Sequence, residues 1–206
     1  MFKLLAVTDR ASCREAFADR LRHLAASGID ALILRAKELP PQDYLTLASQ
    51  AQLICQANRL PLILHTCFDA CQAAGSFSLH VSYPQLVQQP QLRTQVQRLG
   101  VSVHTLTEAR QSAALGADYL IAGHIFATAC KQGLPGRGTD FLRAVCDATP
   151  LPVYAIGGIT PANISRIKKA GAAGACLMSS LMTCPKPALL VRELRQALEE
   201  EHNDFF

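Results

Sequence analysis

Residues 114–124, ALGADYLIAGH, contain the unit from which this chain is built. Gly116 follows an alanine-rich segment, as is common where a helix ends. The apolar run Tyr119–Ala122 predicts a buried strand, and His124 follows it almost at once. Similar helix ends precede strand candidates in residues 26–30 (ASGID) and 169–174 (KAGAAG). Alternation of helices with short buried strands predicts a parallel sheet.

Eight strand candidates alternate with eight helical patterns along the chain. The predicted strands are Lys3–Thr8, Ala31–Arg35, Leu62–His65, Ser78–Val81, Gly100–Val103, Tyr119–Ala122, Val153–Ile156 and Ala175–Met178. The predicted helices are Cys13–Ala26, Pro41–Ala57, Asp69–Ala74, Pro84–Leu92, Leu106–Leu115, Asp140–Ala148, Ala162–Ala170 and Pro187–Glu200.

Eight such units favour an α/β fold, a (β/α)₈ TIM barrel, near the lower size limit of that architecture. A doubly wound open sheet is the alternative, but it usually has fewer strands, and no Gly-x-Gly-x-x-Gly turn follows the first strand. We predict a single domain over residues 1–206, with residues 199–206 as a frayed C-terminal tail.

Composition argues against several other classes of protein. The chain has 206 residues, of which 50% are hydrophobic and 17% charged, as expected for a globular domain. Its net charge of +4 comes from scattered residues, so we expect no nucleic-acid partner. The N-terminus lacks signal-peptide features, and no apolar run reaches a membrane-spanning length, so we expect a cytoplasmic protein with no membrane partner.

The eight cysteines include no Cys-x-x-Cys pair, and in a cytosolic chain they are expected to be buried apolar side chains or free thiols. His65, Cys67 and Cys71 are metal-ligating residue types, but no complete zinc ligand set accompanies them. We therefore predict no metal site.

Polar side chains or a glycine pair stand at the end of every predicted strand, and in a barrel these strand ends meet at one rim, where chemistry takes place. The polar residues are Thr8, Asp9, Arg35, Lys37, His65, Thr66, His80, Ser82, Ser102, His104, His124, Thr128, Lys131 and Ser179-Ser180, and the glycine pair is Gly157-Gly158. A histidine near a lysine after the sixth strand suggests proton transfer on an anionic substrate, although a loop histidine beside a solvated lysine would fit too.

Gly157-Gly158 and Ser179-Ser180 follow the last two strands, where barrels often bind phosphate through backbone N–H groups. The alternative is that the glycines only permit tight turns.

Arg35 and Lys37 are two positions apart, which places both charges on one side of the strand end. Cations inside a barrel rim favour an anionic partner. The alternative is that one points outward or pairs with an acid such as Glu38.

Six segments together resemble the thiamin phosphate synthase/TenI family. They are LRAK (34–37), GVSVH (100–104), GADY (116–119), GHIFATACK (123–131), AIGGI (155–159) and AGAAG (170–174), in the family's order and over nearly the whole chain. The resemblance implies a (β/α)₈ barrel that acts on phosphorylated thiamin precursors, and it suggests a homodimer.

The synthase branch couples a pyrimidine diphosphate to a thiazole phosphate, and it resembles this chain at Arg35, Lys37, Ser102, Thr128 and Lys131. It would also have an Asn-Asp pair after the third strand and an Asp after the fourth, which hold Mg²⁺. Here those places are His65-Thr66 and about Gln85, which cannot supply the carboxylate charge that Mg²⁺ requires.

The TenI branch, a thiazole tautomerase, resembles the chain more closely. The matching residues are His124, Cys130-Lys131, Gly133-Leu134 and Gly136-Arg137-Gly138. The resemblance implies an isomerase that aromatises a thiazole carboxylate phosphate tautomer by a proton shift, with no metal or organic cofactor.

In this interpretation His124 is the general base. Gly157, Gly158, Ser179 and Ser180 bind the phosphate. Arg35 and Lys37 hold the substrate carboxylate or shape the electrostatic field around it, and Ser102, Thr128 and Lys131 are lesser candidates. Cys130 is expected to be a buried spacer.

Departures from the family pattern leave two alternatives open. His65-Thr66-Cys67 replaces Asn-Asp-Arg, although Asp69 could match the later acid of that motif, and the segment 82–85 also differs. The chain could be a synthase-like coupling enzyme with an altered metal site. It could also be a non-catalytic thiazole-phosphate-binding or regulatory protein that kept the phosphate pocket.

Overall fold

The computed structural model describes residues 1–73, 78–128, 131 and 133–200. Eight parallel strands close into a barrel in chain order, with β1 paired to both β2 and β8. They are β1 (Lys3–Val7), β2 (Ala31–Leu34), β3 (Leu62–His65), β4 (Ser78–Ser82), β5 (Arg98–Val103), β6 (Tyr119–Gly123), β7 (Val153–Ile156) and β8 (Gly174–Leu177). This confirms the predicted single-domain (β/α)₈ fold.

Helices form the outer layer of the barrel. They are α1 (Phe17–Ala25), α2 (Pro41–Ala57), α3 (Phe68–Ala73), α4 (Tyr83–Gln88), α5 (Leu92–Gln95), α6 (Leu106–Ala114), α7 (Gly138–Asp147), α8 (Ile164–Lys169), α9 (Ser179–Thr183) and α10 (Pro187–Glu199). A 3₁₀ turn spans Arg10–Ser12.

The observed helices differ from the predictions in three places. The helix predicted to begin at Cys13 begins at Phe17, because the 3₁₀ turn is followed by extended backbone at Cys13 and Ala16. The helix predicted over residues 84–92 is divided into α4 and α5, because Gln89 precedes Pro90 and leaves the helical conformation. Helix α9 was not predicted.

The hydrophobic core has two parts. The larger part lies between the outward faces of the strands and the helices. The smaller part fills the barrel and contains Leu5, Val7, Ala31, Ile33, Ile63, Tyr119, Ile121, Tyr154 and Cys176. Side chains alternate across a strand, so every second residue points into the barrel. At the carboxyl end of a strand, such a residue lies at the rim.

A Gly-x-Asp sequence joins α1 to β2 at the amino end of the barrel. Gly28 has φ +87°, a left-handed conformation that glycine adopts without strain. Asp30 then donates its backbone N–H to Leu4 O at 2.7 Å and accepts from Leu4 N at 2.8 Å through its carboxylate. Arg195 of α10 contacts the same carboxylate at 3.1 Å.

The same structure recurs between α6 and β6. Gly116 has φ +85°, and Asp118 donates its backbone N–H to Leu99 O at 2.8 Å and accepts from Leu99 N at 2.7 Å. Arg93 contacts this carboxylate at 2.5 Å. The recurring motif therefore fixes each strand against the strand before it.

No helix in the described ranges is both long and apolar enough to cross a membrane. The seven cysteines that the structure describes are free thiols. Cys130 and most of the predicted tail, residues 201–206, lie outside the described residues, so the expectations for them remain predictions.

Candidate active site

The two residues that follow β1 hold Arg35 at the rim. Thr8 donates its hydroxyl to Arg35 O and accepts from Arg35 N, both at 2.8 Å. Asp9 lies 3.3 Å from the guanidinium of Arg35. Glu38, considered above as an acid partner, instead pairs with Arg10 at 3.2 Å. Arg35 is therefore held in place through both its backbone and its side chain.

Lys37 stands beside other cations. Partial desolvation, followed by the charges of Arg35 and Lys131, lowers its pKa below the ordinary value for lysine. Lys37 has no ion-pair or hydrogen-bond partner within the described residues. Cations that repel one another at a barrel rim favour the binding of an anion.

His65 ends β3 next to this cationic cluster. Burial, followed by the charges of Lys37 and Arg35, lowers its pKa to about 3. The ring is therefore neutral at physiological pH. Its Nδ1 contacts the Thr66 hydroxyl, and Gln85 donates its side-chain amide to Thr66 O at 2.8 Å.

His124 follows β6 in a loop that is tied to the end of β7. The backbone N–H groups of Ile125 and Phe126 donate to Ile156 O at 2.9 Å and Gly157 O at 3.1 Å. His124 Nε2 lies 3.3 Å from Leu134 O. Because a carbonyl can only accept, a neutral ring in this contact carries its proton on Nε2 and has its lone pair on Nδ1.

The Gly157-Gly158 turn requires glycine at both positions. The φ values are +104° and +64°. A Cβ atom on Gly158 would lie 2.4 Å from Ala127 O. Asn163 completes the turn, since its side chain donates to Gly158 O at 2.9 Å and accepts from Thr160 N at 2.8 Å.

Ser179 and Ser180 are the first residues of α9, and both are half-buried. The buried Arg20 of α1 supports this short helix from behind, because it donates to Leu181 O at 3.1 Å and Cys184 O at 2.8 Å. Sequence analysis did not predict a role for Arg20 or Asn163. The signal for Asn163 was its position three residues after Thr160, the spacing at which a side chain reaches back to the backbone N–H of a capping residue.

The structure thus brings Arg35, Lys37 and Lys131 into one cationic cluster beside the neutral His65 ring, and it packs the His124 loop on the Gly157-Gly158 turn. Ser102 ends near the rim on β5 and contacts His80. Lys131 N donates to Thr128 O at 3.0 Å, which ties these two predicted contacts together. His104 donates Nδ1–H to Gly123 O at 2.9 Å.

A closed (β/α)₈ barrel with cations, histidines and a glycine turn at the carboxyl ends of its strands belongs to the class of barrel enzymes that carry their chemistry on that rim. The family model described as thiamine monophosphate synthase matches residues 4–181. The chain therefore belongs to the thiamine monophosphate synthase family, an enzyme family of thiamine biosynthesis, and the predicted family is confirmed.

Individual relatives agree with this assignment. The chain is 33% identical over 183 residues to "Thiamine-phosphate synthase 2" of Streptococcus pneumoniae serotype 4, with 87% of each chain covered. It is 33% identical over 200 residues to a thiamine-phosphate synthase of Lacticaseibacillus paracasei, covering 96% of this chain and 94% of the relative. The solved thiamine phosphate pyrophosphorylase of Pyrococcus furiosus superposes with TM-score 0.81 at 25% identity, covering 97% and 96%.

The residues at the ends of β3 and β4 do not fit the Mg²⁺ that the synthase branch implies. His65, Thr66, Ser82 and Gln85 offer no carboxylate, and the Ser82 hydroxyl already accepts from Gln85 N at 3.4 Å. Within the described ranges, no group of three or more His, Cys, Asp or Glu side chains could hold a metal ion.

Proposed function

We propose that this protein is a thiazole tautomerase that aromatises a thiazole carboxylate phosphate tautomer by proton transfer at His124. The observation that carries the proposal is the Nε2 contact of His124 with Leu134 O, which leaves Nδ1 unprotonated at the rim. The cationic cluster and the absence of Mg²⁺-binding carboxylates at the ends of β3 and β4 support the same function. The cluster favours an anionic substrate, and the missing carboxylates favour a reaction without a metal.

His124 would act as both base and acid. Nδ1 takes a proton from one ring atom of the thiazole precursor, and the resulting imidazolium returns a proton to another atom. The substrate and product are isomers, so no electron acceptor or second substrate is needed. An imidazole suits this task because one ring nitrogen can accept a proton while the other donates a hydrogen bond.

Two sets of groups would orient the substrate. Backbone N–H groups around Gly157 and Gly158, with Ser179 and Ser180 after β8, bind the phosphate. Arg35 and Lys37 bind the carboxylate, and Ser102, Thr128 and Lys131 provide further polar contacts. Because the His124 loop packs on the Gly157-Gly158 turn, a substrate held by this turn lies next to the imidazole.

Ultraviolet absorbance that follows aromatisation, with EDTA present, tests the proposal. We expect the wild-type rate to survive EDTA and the rate of His124→Ala to fall about a hundredfold or more, the scale of a lost general base. His23→Ala, at an exposed histidine of α1, is the matched control. No acceleration by the wild-type protein would overturn the proposal, and full activity of His124→Ala would move the base elsewhere.

The names of the relatives favour a second candidate, the coupling of a pyrimidine diphosphate to a thiazole phosphate. We expect no thiamin phosphate above the buffer rate when both substrates and Mg²⁺ are supplied, because the ends of β3 and β4 lack carboxylates. Formation of thiamin phosphate that EDTA abolishes would favour the synthase instead.

A further inference from the structure

The barrel interior contains a hydrogen-bonded series of three side chains that the proposed mechanism does not use. His80 of β4 is 1% exposed. Its Nδ1 lies 3.2 Å from the Tyr119 hydroxyl, and its Nε2 lies 2.8 Å from Ser102 Oγ. Tyr119 is buried at the start of β6, whereas Ser102 is half-buried near the rim end of β5. The series therefore leads from the interior to the rim.

The Tyr119 ring is fixed by its neighbours. A Cβ atom on Gly100, its partner across the β5–β6 pair, would lie 2.0 Å from Tyr119 Cζ, so only glycine leaves room for the ring. The Arg98 guanidinium lies 5.3 Å from the ring centroid, and the Tyr154 ring packs edge-on at 5.6 Å. The phenol hydroxyl is thus directed at His80.

The hydrogen bonds in this series have one consistent direction. Within the described residues, His80 Nδ1 is the only hydrogen-bond partner of the Tyr119 hydroxyl. A buried O–H that donates to no acceptor destabilises the folded protein, so we assign the phenol as the donor to Nδ1. A neutral His80 then carries its proton on Nε2 and donates it to Ser102 Oγ. The hydroxyl hydrogen of Ser102 is left free to point elsewhere.

The protonation states agree with this direction. Burial, followed by the charges of His65 and Lys37, lowers the pKa of His80 well below its ordinary value, so the ring is neutral. Burial likewise raises the pKa of Tyr119, so the phenol keeps its proton.

We propose that His80, oriented by Tyr119, is a positioning residue that holds Ser102 as a hydrogen-bond donor toward an anionic oxygen of the bound substrate. The His65 ring, which borders the cationic cluster, lies 5.6 Å from the His80 ring, so Ser102 acts in the same region. With the opposite tautomer, Ser102 would donate to His80 and present only lone pairs to the anion. The inference rests on the proposed function, because it takes the thiazole anion as the ligand.

The His80 tautomer is measured directly by long-range ¹H–¹⁵N correlation spectra of protein labelled with ¹⁵N-histidine. Loss of one ring system in His80→Gln identifies the signals. We expect the Nε2–H tautomer in the wild type and a shift toward Nδ1–H in Tyr119→Phe, which lacks the hydroxyl that donates to Nδ1. Tyr154→Phe, at the neighbouring ring that packs edge-on against Tyr119, should keep the wild-type tautomer. An Nδ1–H tautomer in the wild type would overturn the proposal.

Calorimetric binding of the aromatic thiazole carboxylate phosphate tests the consequence. We expect Ser102→Ala and Tyr119→Phe each to weaken binding by about tenfold, the scale of one hydrogen bond to a charged group. The double variant should be no weaker than Ser102→Ala, since both changes remove the same contact. His80→Gln, whose amide N–H can donate to Ser102, should bind more tightly than His80→Leu.

The outcomes of these two experiments separate the two proposals. Additive losses in Tyr119→Phe and Ser102→Ala would mean that the residues act independently, and the positioning role would be wrong. A wild-type protein that binds no thiazole phosphate would overturn the proposed function. The tautomer measurement would still decide the orientation of Ser102 in that case.

Discussion

Gly157 and His124 pack so closely that a Cβ atom on Gly157 would lie 2.4 Å from Cβ of His124. Gly157 also has φ +104°, a conformation that side-chain-bearing residues rarely adopt. The end of β7 thus determines where the imidazole stands after β6. Glycine at this position therefore does more than permit a tight turn, because it leaves the space that the histidine occupies.

We expect Gly157→Ala to reduce tautomerase activity at least tenfold, because the new methyl group displaces His124 and small displacements of a catalytic group are costly. We also expect a loss of more than about 1 kcal/mol in the free energy of unfolding, from backbone strain and the clash together. Steady-state kinetics and denaturant unfolding measure the two effects.

Gly28→Ala provides the matched control. Gly28 has φ +87°, but the nearest atom to an added Cβ is Val191 Cγ1 at 3.8 Å, and the residue lies at the opposite end of the barrel. It should lose stability from strain alone and keep full activity. Equal activity in both variants would show that His124 does not depend on Gly157.

Lys37 is expected to contribute to binding at the expense of stability. Its pKa is lowered by partial desolvation and by the neighbouring Arg35 and Lys131 charges, so its charge is disfavoured in the unliganded protein. We expect Lys37→Met to raise KM by about tenfold or more, because a charge-assisted hydrogen bond to the substrate is lost. Thermal unfolding of the free protein should show unchanged or higher stability.

Arg110→Met removes one positive charge from the exposed surface of α6 and controls for the change in net charge. It should leave KM unchanged at physiological ionic strength. If Lys37→Met instead lowered stability and left KM unchanged, Lys37 would be a structural residue rather than a ligand for the substrate.

The strand positions could be predicted from the sequence because each is a short apolar run bounded by glycine, proline or a polar residue. All eight observed strands overlap the predicted ones. Helix ends were harder to predict. The helix break at Gln89 depends on Pro90, which is visible in the sequence. Helix α9, in contrast, is a short helix held by Arg20 of α1, a contact that is distant in sequence.

Contacts within the site depend on the register of the closed barrel. The rim residues could be listed from strand ends, but the contact of His80 with Ser102 and Tyr119 requires knowing how β4, β5 and β6 align. Tyr119 also lies within an apolar run, and this pattern predicts a core side chain rather than a hydroxyl with a functional role. The glycine at position 100 was the available signal, because it faces Tyr119 across the strand pair.

Acid is expected to destabilise the protein through His65. Burial and the nearby Lys37 and Arg35 charges lower its folded-state pKa to about 3, whereas the unfolded value is about 6.5. The unfolded state therefore binds the proton more strongly, and the stability from neutral His65 is lost as pH falls from about 6.5 toward about 3. One such group changes the free energy of unfolding by at most about 1.4 kcal/mol per pH unit.

Unfolding by urea at about pH 7 and about pH 5 measures this dependence. His65→Gln should show a smaller loss between the two conditions, although His80 will still contribute, since its pKa is lowered as well. His23→Gln, at a surface histidine, should retain the steeper wild-type decline. A decline in His65→Gln equal to that of the wild type would show that His65 does not carry the pH dependence.

The amino end of the barrel is expected to govern stability and not activity. The Asp30 carboxylate contacts Leu4 N, Lys3 and Arg195. Burial raises the pKa of this carboxyl, but the three contacts together lower it by more, so the pKa lies below its ordinary value. Asp30→Asn should therefore cost about 1–3 kcal/mol in the free energy of unfolding, the scale of charged hydrogen bonds. That cost should fade as pH falls below about 4, where the carboxylate loses its charge in the unfolded chain and then in the folded protein.

The matched comparison is Asp118→Asn, in the second copy of the same motif. It should cost less, because the Asp118 side chain is 37% exposed against 17% for Asp30. Both variants should keep wild-type kcat/KM; a selective loss of activity in the folded Asp30→Asn protein would show that this end of the barrel is coupled to the rim.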